Sequence, residues 1–430
     1  MSLIRPFRAI RYNTVPESDI TSRLSPPYDI LDQPAKQGLL ARDSRNFVAV
    51  DLPHTPPKAA GPPAAYYRAR DTLQSWLTDE TLIRDDPASI YVYHQHYRHA
   101  GTEFVRRMFF ATLQLEAIGT GSVFPHEQTF GGPKEDRLAL MKATAANLSP
   151  IFGLYQDPKR EVNSRLERAI ASQPLAHGRL DDVDNKLWAQ SDPGVVREVA
   201  ELMADRPTFI ADGHHRYSTA LMYRDWLTAE RGPLPENHPA NFVLCVFCAM
   251  DDPGLLILPT HRLVPGVGVP ADLFRADDAL VVTELAATEP DAAVRELARL
   301  GPQAVGFRSH EADRYLALTP ASSDLLDRLS PDRSLAWRAL GLSFLHAYVF
   351  DRIVTPKLCG GASPAIRYIQ SAADAVELAR TTAGSAFLLQ ATTMAELRDV
   401  CQAGDLMPPK STYFYPKLAN GLVIHSLTDD

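Results

Sequence analysis

The sequence predicts a mixed α/β (α+β) fold, a layered core in the first part of the chain with a smaller C-terminal α/β region after it. Two observations carry this reading. Short runs rich in aromatic and β-branched residues alternate with segments whose apolar residues recur at helical spacing, the pattern of strands and helices packed in layers. The chain is also 430 residues long, 45% hydrophobic and 22% charged, which suffices for two or three ordinary domains with buried interiors.

The elements follow in order. Pro26-Pro27-Tyr28-Asp29 and the proline-rich stretch 53–63 are irregular, because proline fixes φ and lacks an amide donor. Around them the sequence predicts a short strand over 47–52 and a helix over 64–77. Residues 90–97 and 104–115 read as a strand pair. Leu138, Met141 and Ala145 share one face of a predicted helix over 134–148. Next come a strand over 151–155, a helix over 160–172, a short strand over 186–189 and a helix over 194–204. A strand over 208–210, a helix over 215–230 and a buried strand over 241–250 complete this part. Beyond Pro270, the alanine-rich 271–300 predicts helix, 304–318 strands with a turn, and 335–354 a long helix. Residues 365–370, 372–380, 385–390 and 394–402 read strand, helix, strand, helix. Ala419-Asn420-Gly421 suits a hairpin turn between strands over 412–418 and 422–427. These elements divide into a region over 1–265 that carries the main motif, a second region over 266–405, and a segment over 406–430 expected to return to the site.

A formal net charge of −8 argues against a general nucleic-acid binder, which would present a basic face. Four cysteines in a chain of this length make no disulfide framework. Cys245 and Cys248 lie within the apolar run 242–249, so they read as core residues of a buried strand. No apolar stretch approaches the roughly 20 residues that cross a bilayer, and the first residues lack the charged and apolar regions of a signal peptide. The expected setting is the cytoplasm, with a small-molecule substrate as partner and neither nucleic acid nor membrane.

The sharpest motif is Phe209-Ile210-Ala211-Asp212-Gly213-His214-His215-Arg216-Tyr217. An apolar strand runs into Asp-Gly, and two histidines and an arginine stand where a helix should begin. A helix N-terminus presents amide N–H groups and favours an anion. Gly213 lets the backbone bend around a ligand, Arg216 can grip phosphate with two donors, and His214 and His215 can donate to its oxygens. Asp212 can accept a hydroxyl proton or hold Mg²⁺.

A second cluster, Pro125 to Arg137, presents His126 and Glu127 before a Gly-Gly-Pro loop and Lys134 and Arg137 on the first helical turn after it. Cations there oppose the helix macrodipole, which phosphate oxygens would explain, the alternative being that Lys134 pairs with Glu135 or Asp136. The loop is no P-loop, since no G-x-x-x-x-G-K-[ST] occurs. A third cluster, Met407 to Lys417, is aromatic and basic: either Lys410, Ser411 and Thr412 bind an anion or carboxylate, or the segment is a surface strand whose aromatics pack and whose lysines are solvated. Pro259-Thr260-His261-Arg262 is a further candidate, and Arg5, Tyr28 and Asp29 are expected near the same pocket. His94 and His96 alternate on one strand and read as a polar sheet face.

Taken together in this order, these clusters resemble the bacterial and archaeal family of domain of unknown function 1015, over essentially the whole chain. The resemblance rests on Arg5-Pro6-Phe7, Pro26-Pro27-Tyr28-Asp29, His126-Glu127-Gln128-Thr129, Pro133-Lys134-Glu135-Asp136-Arg137, Asn147-Leu148-Ser149-Pro150-Ile151-Phe152, Asp212 to Tyr217, Pro259-Thr260-His261-Arg262 and Lys410-Ser411-Thr412-Tyr413-Phe414. A shorter resemblance, of Asp212-Gly213-His214-His215-Arg216 alone, is to free-serine kinases built on the ParB/sulfiredoxin-like fold. It implies phosphorylation of free L-serine to O-phosphoserine, with ATP, ADP or pyrophosphate as donor, Mg²⁺ as cofactor and a place in serine metabolism. Asp212, His214 and Glu127 are then the expected catalytic groups. His215, Arg216, His126, Lys134, Arg137, His261, Arg262, Lys410, Ser411 and Thr412 are expected to bind substrate and phosphate. The same pocket with water as acceptor would make a phosphatase, and without turnover a nucleotide-binding regulator.

Overall fold

In the computed structural model, which describes residues 3–57, 59–127 and 131–428, two long antiparallel strands form the centre of a mixed sheet. Ile90–His99 and Thr102–Gln114 pair in register from Tyr91 opposite Phe110 to His99 opposite Thr102. Both turn residues, Ala100 and Gly101, have positive φ, the geometry of a tight two-residue hairpin. The sheet runs Ser18–Asp19, Ala176–Leu180, Val183–Gln190, Ile90–His99, Thr102–Gln114, Phe242–Ala249, Ile151–Tyr155, Thr208–Asp212, Val123–Phe124, with Ile4–Arg5 on the end of Thr102–Gln114. Most pairings are antiparallel, whereas Phe242–Ala249 lies parallel to Ile151–Tyr155.

One face of this sheet is covered by helices. Val195, Val199 and Met203 of Pro193–Ala204 and Tyr217, Ala220 and Leu227 of His214–Arg231 pack on Val92, Phe109, Ile151, Ile210 and Phe247. Each such large apolar side chain taken out of water contributes roughly 1.5–3 kcal/mol. On Phe242–Ala249 both Cys245 and Cys248 are buried, as the apolar run predicts.

The opposite face anchors the chain's last residues. Gln95 and Arg106 stand opposite each other on the central strands. Gln95 Nε2 donates to Lys417 O at 3.0 Å, Arg106 Nη2 to Pro416 O at 2.6 Å, and Ala419 N to Tyr93 Oη at 3.3 Å. Arg106 is fully buried and lies over the ring of Phe152. These bonds fix the path of the backbone at Lys417.

The chain divides into two units, Met1–Leu256 with Pro416–Asp430, and Ile257–Tyr415. The borders differ from the expected 1–265, 266–405 and 406–430. His261–Val264 pairs with Ser385–Leu388 and Arg367–Ile369, so it belongs to the second unit, as do residues up to Tyr415. The second unit is built on an antiparallel sheet ordered Leu280–Glu284, Leu316–Pro320, Val305–Ser309, Ser385–Leu388, His261–Val264, Arg367–Ile369. Phe387 and Val264 face a cluster with Phe344, Val349 and Ile353, while their neighbours Ala386 and Leu263 face Ala293, Leu297 and Ala375. The alternation of a strand buried on both faces sets this layering.

Several elements differ from their sequence reading. Residues 47–52 form a helical turn, Val48–Asp51, because Asn46 Oδ1 accepts from Val48 N while its amide bonds Ser22 O and Leu24 O. The helix expected over 134–148 ends at Thr144, since Ala145 has positive φ and Ala146–Asn147 pairs with His425–Ser426. Residues 160–172 form only the helix Glu161–Leu166 and a short 3-10 turn. Residues 271–300 hold the strand Leu280–Glu284 between helices Asp272–Arg275 and Pro290–Leu297. The long helix over 335–354 is interrupted at Leu340, whose extended backbone breaks it. The hairpin over 412–427 is absent: Asn420 instead bonds Ser25 through backbone atoms and Asp51 through its side chain.

Candidate functional site

The strand Thr208–Asp212 slips register as it ends, with Ile210 opposite Gly153 and Asp212 opposite Phe152. The extra residue, Ala211, is a bulge, which re-aims the side chain that follows. Gly213 then has φ 89°, and a Cβ there would stand 3.1 Å from Ile151 Cα and from the Arg216 guanidinium. Glycine takes this φ without strain, whereas any side chain would be strained here and would crowd Ile151 and Arg216. The helix His214–Arg231 starts at the next residue, with no side-chain oxygen capping it.

Asp212 Oδ2 lies 2.8 Å from Lys417 Nζ, and Oδ1 lies 3.4 Å from Arg216 Nη2. Burial opposes the Asp212 charge, but Lys417 and then Arg216 outweigh it and hold the carboxyl well below the usual carboxylate range. Arg216 also donates through Nη1 to Pro150 O. The carboxylate is 28% exposed, so a ligand can reach it.

Two imidazoles stand behind it. His126 Nδ1 donates to Ile210 O at 2.7 Å, and His126 N donates to His214 Nε2 at 3.2 Å. The rings are 4.6 Å apart, edge to face. An Nε2 that accepts leaves the proton of neutral His214 on Nδ1. Burial pushes both pKa values down, that of His214 further because His126 is beside it, so both rings are neutral. Glu127 Oε1 lies 4.0 Å from His126 Nε2. Thus His126, Glu127, Asp212, His214 and Arg216, drawn from two sequence clusters, meet. His215 is half-buried on the same helical turn, and its carbonyl accepts from Thr219 Oγ1.

Arg137 has a different place. Its Nε and Nη2 donate to Asp136 Oδ2 at 2.8 and 2.6 Å, its Nη1 donates to Asp51 O, and its guanidinium covers the Tyr28 ring at 4.0 Å. Asp51, fully buried, accepts from Ser149 Oγ at 2.8 Å and Asn420 Nδ2 at 2.9 Å. Burial raises the Asp51 pKa against the pull of Arg137. Arg137 is therefore chiefly a strut, although Arg137, Tyr28, Asp51, Ser149 and Arg216 line one cleft. Lys134 is half-buried on the helix Gly131–Thr144. Gln128 and Thr129 of the quoted motif lie outside the described residues. Arg5 sits over the Phe242 ring, and Asp29 is exposed on the 3-10 turn Tyr28–Ile30.

His261, Arg262, Lys410, Ser411 and Thr412 gather in the second unit. Arg262 Nη2 donates to Pro409 O at 2.9 Å and Lys410 O at 3.0 Å, and its Nη1 donates to Thr260 O. His261 Nδ1 accepts from Leu389 N at 3.1 Å, and burial lowers its pKa to about 4. Ser411 Oγ donates to Pro408 O, Ser411 O accepts from Thr392 Oγ1, Thr412 is half-buried, and Lys410 is exposed.

Sequence reasoning missed Lys417, Asp51 and Asn420. Lys417 ends the basic, aromatic cluster that the sequence singled out, and that second lysine was the available signal. Asp51 lay in a segment read as strand, where a buried carboxylate has no signature. Among the described residues, no group of three or more His, Cys, Asp or Glu side chains could hold a metal ion, and no helix is long and apolar enough to cross a membrane.

Comparison with known proteins gives a family and distant folds. Residues 4–319 match the family described as "Protein of unknown function (DUF1015)". No curated protein matches the chain. Among solved structures, a free serine kinase in complex with AMP is similar at 14% identity and TM-score 0.33, over 68% of this chain and 83% of that one. SbnI with C-terminal truncation, from Staphylococcus aureus, is similar at 13% identity and TM-score 0.36, over 75% and 90%. A conserved hypothetical protein from Pyrococcus furiosus is similar at 14% identity and TM-score 0.33, over 70% and 91%.

Proposed function

The chain belongs to the DUF1015 family, and from that premise we propose that it is a phosphotransferase acting on the hydroxyl of free L-serine. The observation that carries the reading is an ionised, partly exposed carboxylate, Asp212, held between Lys417 and Arg216 where a strand passes into a helix. Phosphoryl transfer demands in-line positioning and dispersed positive charge more than covalent chemistry. Arg216, Lys417 and the helix N-terminus supply the charge. His214, neutral in its buried position, is a hydrogen-bond donor at Nδ1 that adds no charge to be solvated.

In this reading Asp212 accepts a hydrogen bond from the serine hydroxyl and orients it. The serine oxygen bonds to phosphorus as the bond from phosphorus to the donor's bridging oxygen breaks, and the hydroxyl proton leaves through Asp212. A carboxylate of low pKa suffices, because the nucleophile of a loose transition state needs little deprotonation in advance. Glu127 and Asp212 both lie within electrostatic reach of His126, and two carboxylates are a usual protein share for Mg²⁺ beside phosphate oxygens and water. When bound there, Mg²⁺ would neutralise charge on the donor's phosphates. ATP, ADP and pyrophosphate are the donors to try.

The test is to incubate the protein with L-serine, Mg²⁺ and each donor, and to read O-phosphoserine by mass. Product with one donor supports the reading. Release of phosphate from phosphoserine without any donor would replace it with a phosphatase, and no product with any donor would end it.

A further inference from the structure

Side chains of one cross-strand row hold the peptide units on both sides of Lys417. Asn185, Gln95 and Arg106 stand directly opposite one another on Val183–Gln190, Ile90–His99 and Thr102–Gln114, and all three are buried. Arg106 Nη2 donates to Pro416 O at 2.6 Å, which fixes the peptide plane entering Lys417. Gln95 Nε2 donates to Lys417 O at 3.0 Å, which fixes the plane leaving it. Peptide units are planar, so two fixed planes set the direction of the Cα–Cβ bond between them. We propose that Gln95 is a positioning residue, which through the Lys417 carbonyl aims the Lys417 ammonium at Asp212. Its consequence for turnover rests on the reading of Asp212 as the group that meets the serine hydroxyl; the placing of the ammonium does not.

A row that existed only to satisfy its own polar groups would not reach the tail. Asn185 Oδ1 accepts from Tyr93 Oη at 2.6 Å and from Gln95 Nε2 at 3.0 Å, and its Nδ2 donates to Gly178 O and Val183 O. Gln95 Oε1 accepts from Arg106 Nη2. A glutamine amide carries two donor hydrogens; one goes to Asn185, and the other leaves the row for Lys417 O. Beyond Ala419 the chain has anchors of its own. Asn420 exchanges backbone bonds with Ser25, Ile424 does so with Ile10, and Leu427 N donates to Ala145 O. Loss of the Gln95 donor therefore frees the stretch around Lys417 and leaves the last residues bound.

Aim matters here because the ion pair is partly exposed, Lys417 at 24% and Asp212 at 28%. Such a pair contributes little when two mobile side chains must be ordered to form it, since the lost rotamer freedom offsets the attraction. A lysine whose backbone is already fixed loses less. Burial opposes the Asp212 charge, and Lys417 is the first of the groups that outweigh it. An ammonium that wanders leaves the carboxylate free to turn.

The experiment follows the ammonium resonances of the full-length protein labelled with ¹⁵N-lysine. The Lys417 signal is the one missing from Lys417→Met. An ammonium held against a carboxylate exchanges its protons slowly, so the wild-type signal should be sharp. Gln95→Met keeps the bulk of the side chain without its donors. It should broaden the signal, speed proton exchange about tenfold and lower kcat for L-serine about tenfold with little change in KM. Val199→Ala, on the helix-covered face, should lower the thermal midpoint and leave the signal sharp. If Gln95→Met does not fold, Gln95→Glu takes its place, since it keeps an acceptor for Arg106 and lacks the donor to Lys417 O. The proposal is overturned if the wild type shows no slowly exchanging Lys417 ammonium, if a folded Gln95 variant keeps the wild-type signal, or if Val199→Ala broadens it equally. A signal broadened by the Gln95 variant, in a protein that phosphorylates no serine, upholds the positioning and removes the phosphotransferase reading instead.

Discussion

Lys417 Nζ stands 2.8 Å from Asp212 Oδ2, although 205 residues separate the two in the chain. The contact is prepared elsewhere. Gln95 and Arg106 hold the carbonyls of Lys417 and Pro416, and a bulge at the end of Thr208–Asp212 sets Asp212 opposite Phe152. The carboxylate thus meets an ammonium that the sheet delivers from the far end of the polypeptide.

Removing that carboxylate should stop turnover without unfolding the protein. Asp212→Asn keeps the shape of a partly exposed side chain, so the thermal midpoint should move little while phosphoserine formation falls about 100-fold or more. Lys417→Met should slow the reaction about tenfold by freeing the carboxylate to turn, with Lys417→Arg recovering part of the rate. Steady-state kinetics beside thermal unfolding separates these outcomes.

The two arginines of the cleft should behave in opposite ways. Arg137→Met strips the buried carboxylates of Asp136 and Asp51 of a cation and should cost about 3–5 kcal/mol of stability. Arg216→Ala should chiefly weaken binding of pyrophosphate, measured by calorimetry. If Arg137→Met unfolds with wild-type urea dependence, the strut assignment is wrong.

Gly213→Ala forces a Cβ into Ile151 and the Arg216 guanidinium at a φ of 89°. The cost should be about 1–3 kcal/mol, accompanied by weaker pyrophosphate binding. A variant of full stability and affinity would show that the turn tolerates a side chain.

Acid should destabilise the protein below pH 6.5 through its buried histidines. Burial lowers the pKa of His94, His261 and His425 from 6.5 to about 4. Above the unfolded value both states are neutral and stability is flat. Below it the unfolded chain takes protons that the native state refuses, so stability falls as pH drops from 6.5 towards 4. At pH 5.5 each group should cost about 1 kcal/mol relative to pH 7.5. Urea unfolding at both values checks this, and His94→Gln should shrink the difference by about that amount.

Much of this was legible in the sequence. The alternation of apolar and helical segments yields the mixed α/β layering, and Asp212 to Arg216 do form a strand-to-helix turn with a required glycine. His126 beside His214 could be expected only as two candidates for one site. Their contact depends on a carbonyl of Ile210 and an amide 88 residues from the accepting ring. Arg137 looked like a phosphate ligand because its helix position is electrostatically unfavourable, but Asp136 and Asp51 explain it. Leu280–Glu284 was hidden because its valines sit within an alanine-rich stretch, and strand pairing with Leu316–Pro320 overrides local propensity.

Phosphorus NMR on the wild type and Asp212→Asn, each with L-serine, Mg²⁺ and the donor that serves best, puts the carboxylate's role to trial. A phosphomonoester resonance of O-phosphoserine should grow with the wild type and stay absent with the variant. Equal growth in both, or none in the wild type with any of the three donors, would contradict the assignment of this site to phosphoryl transfer.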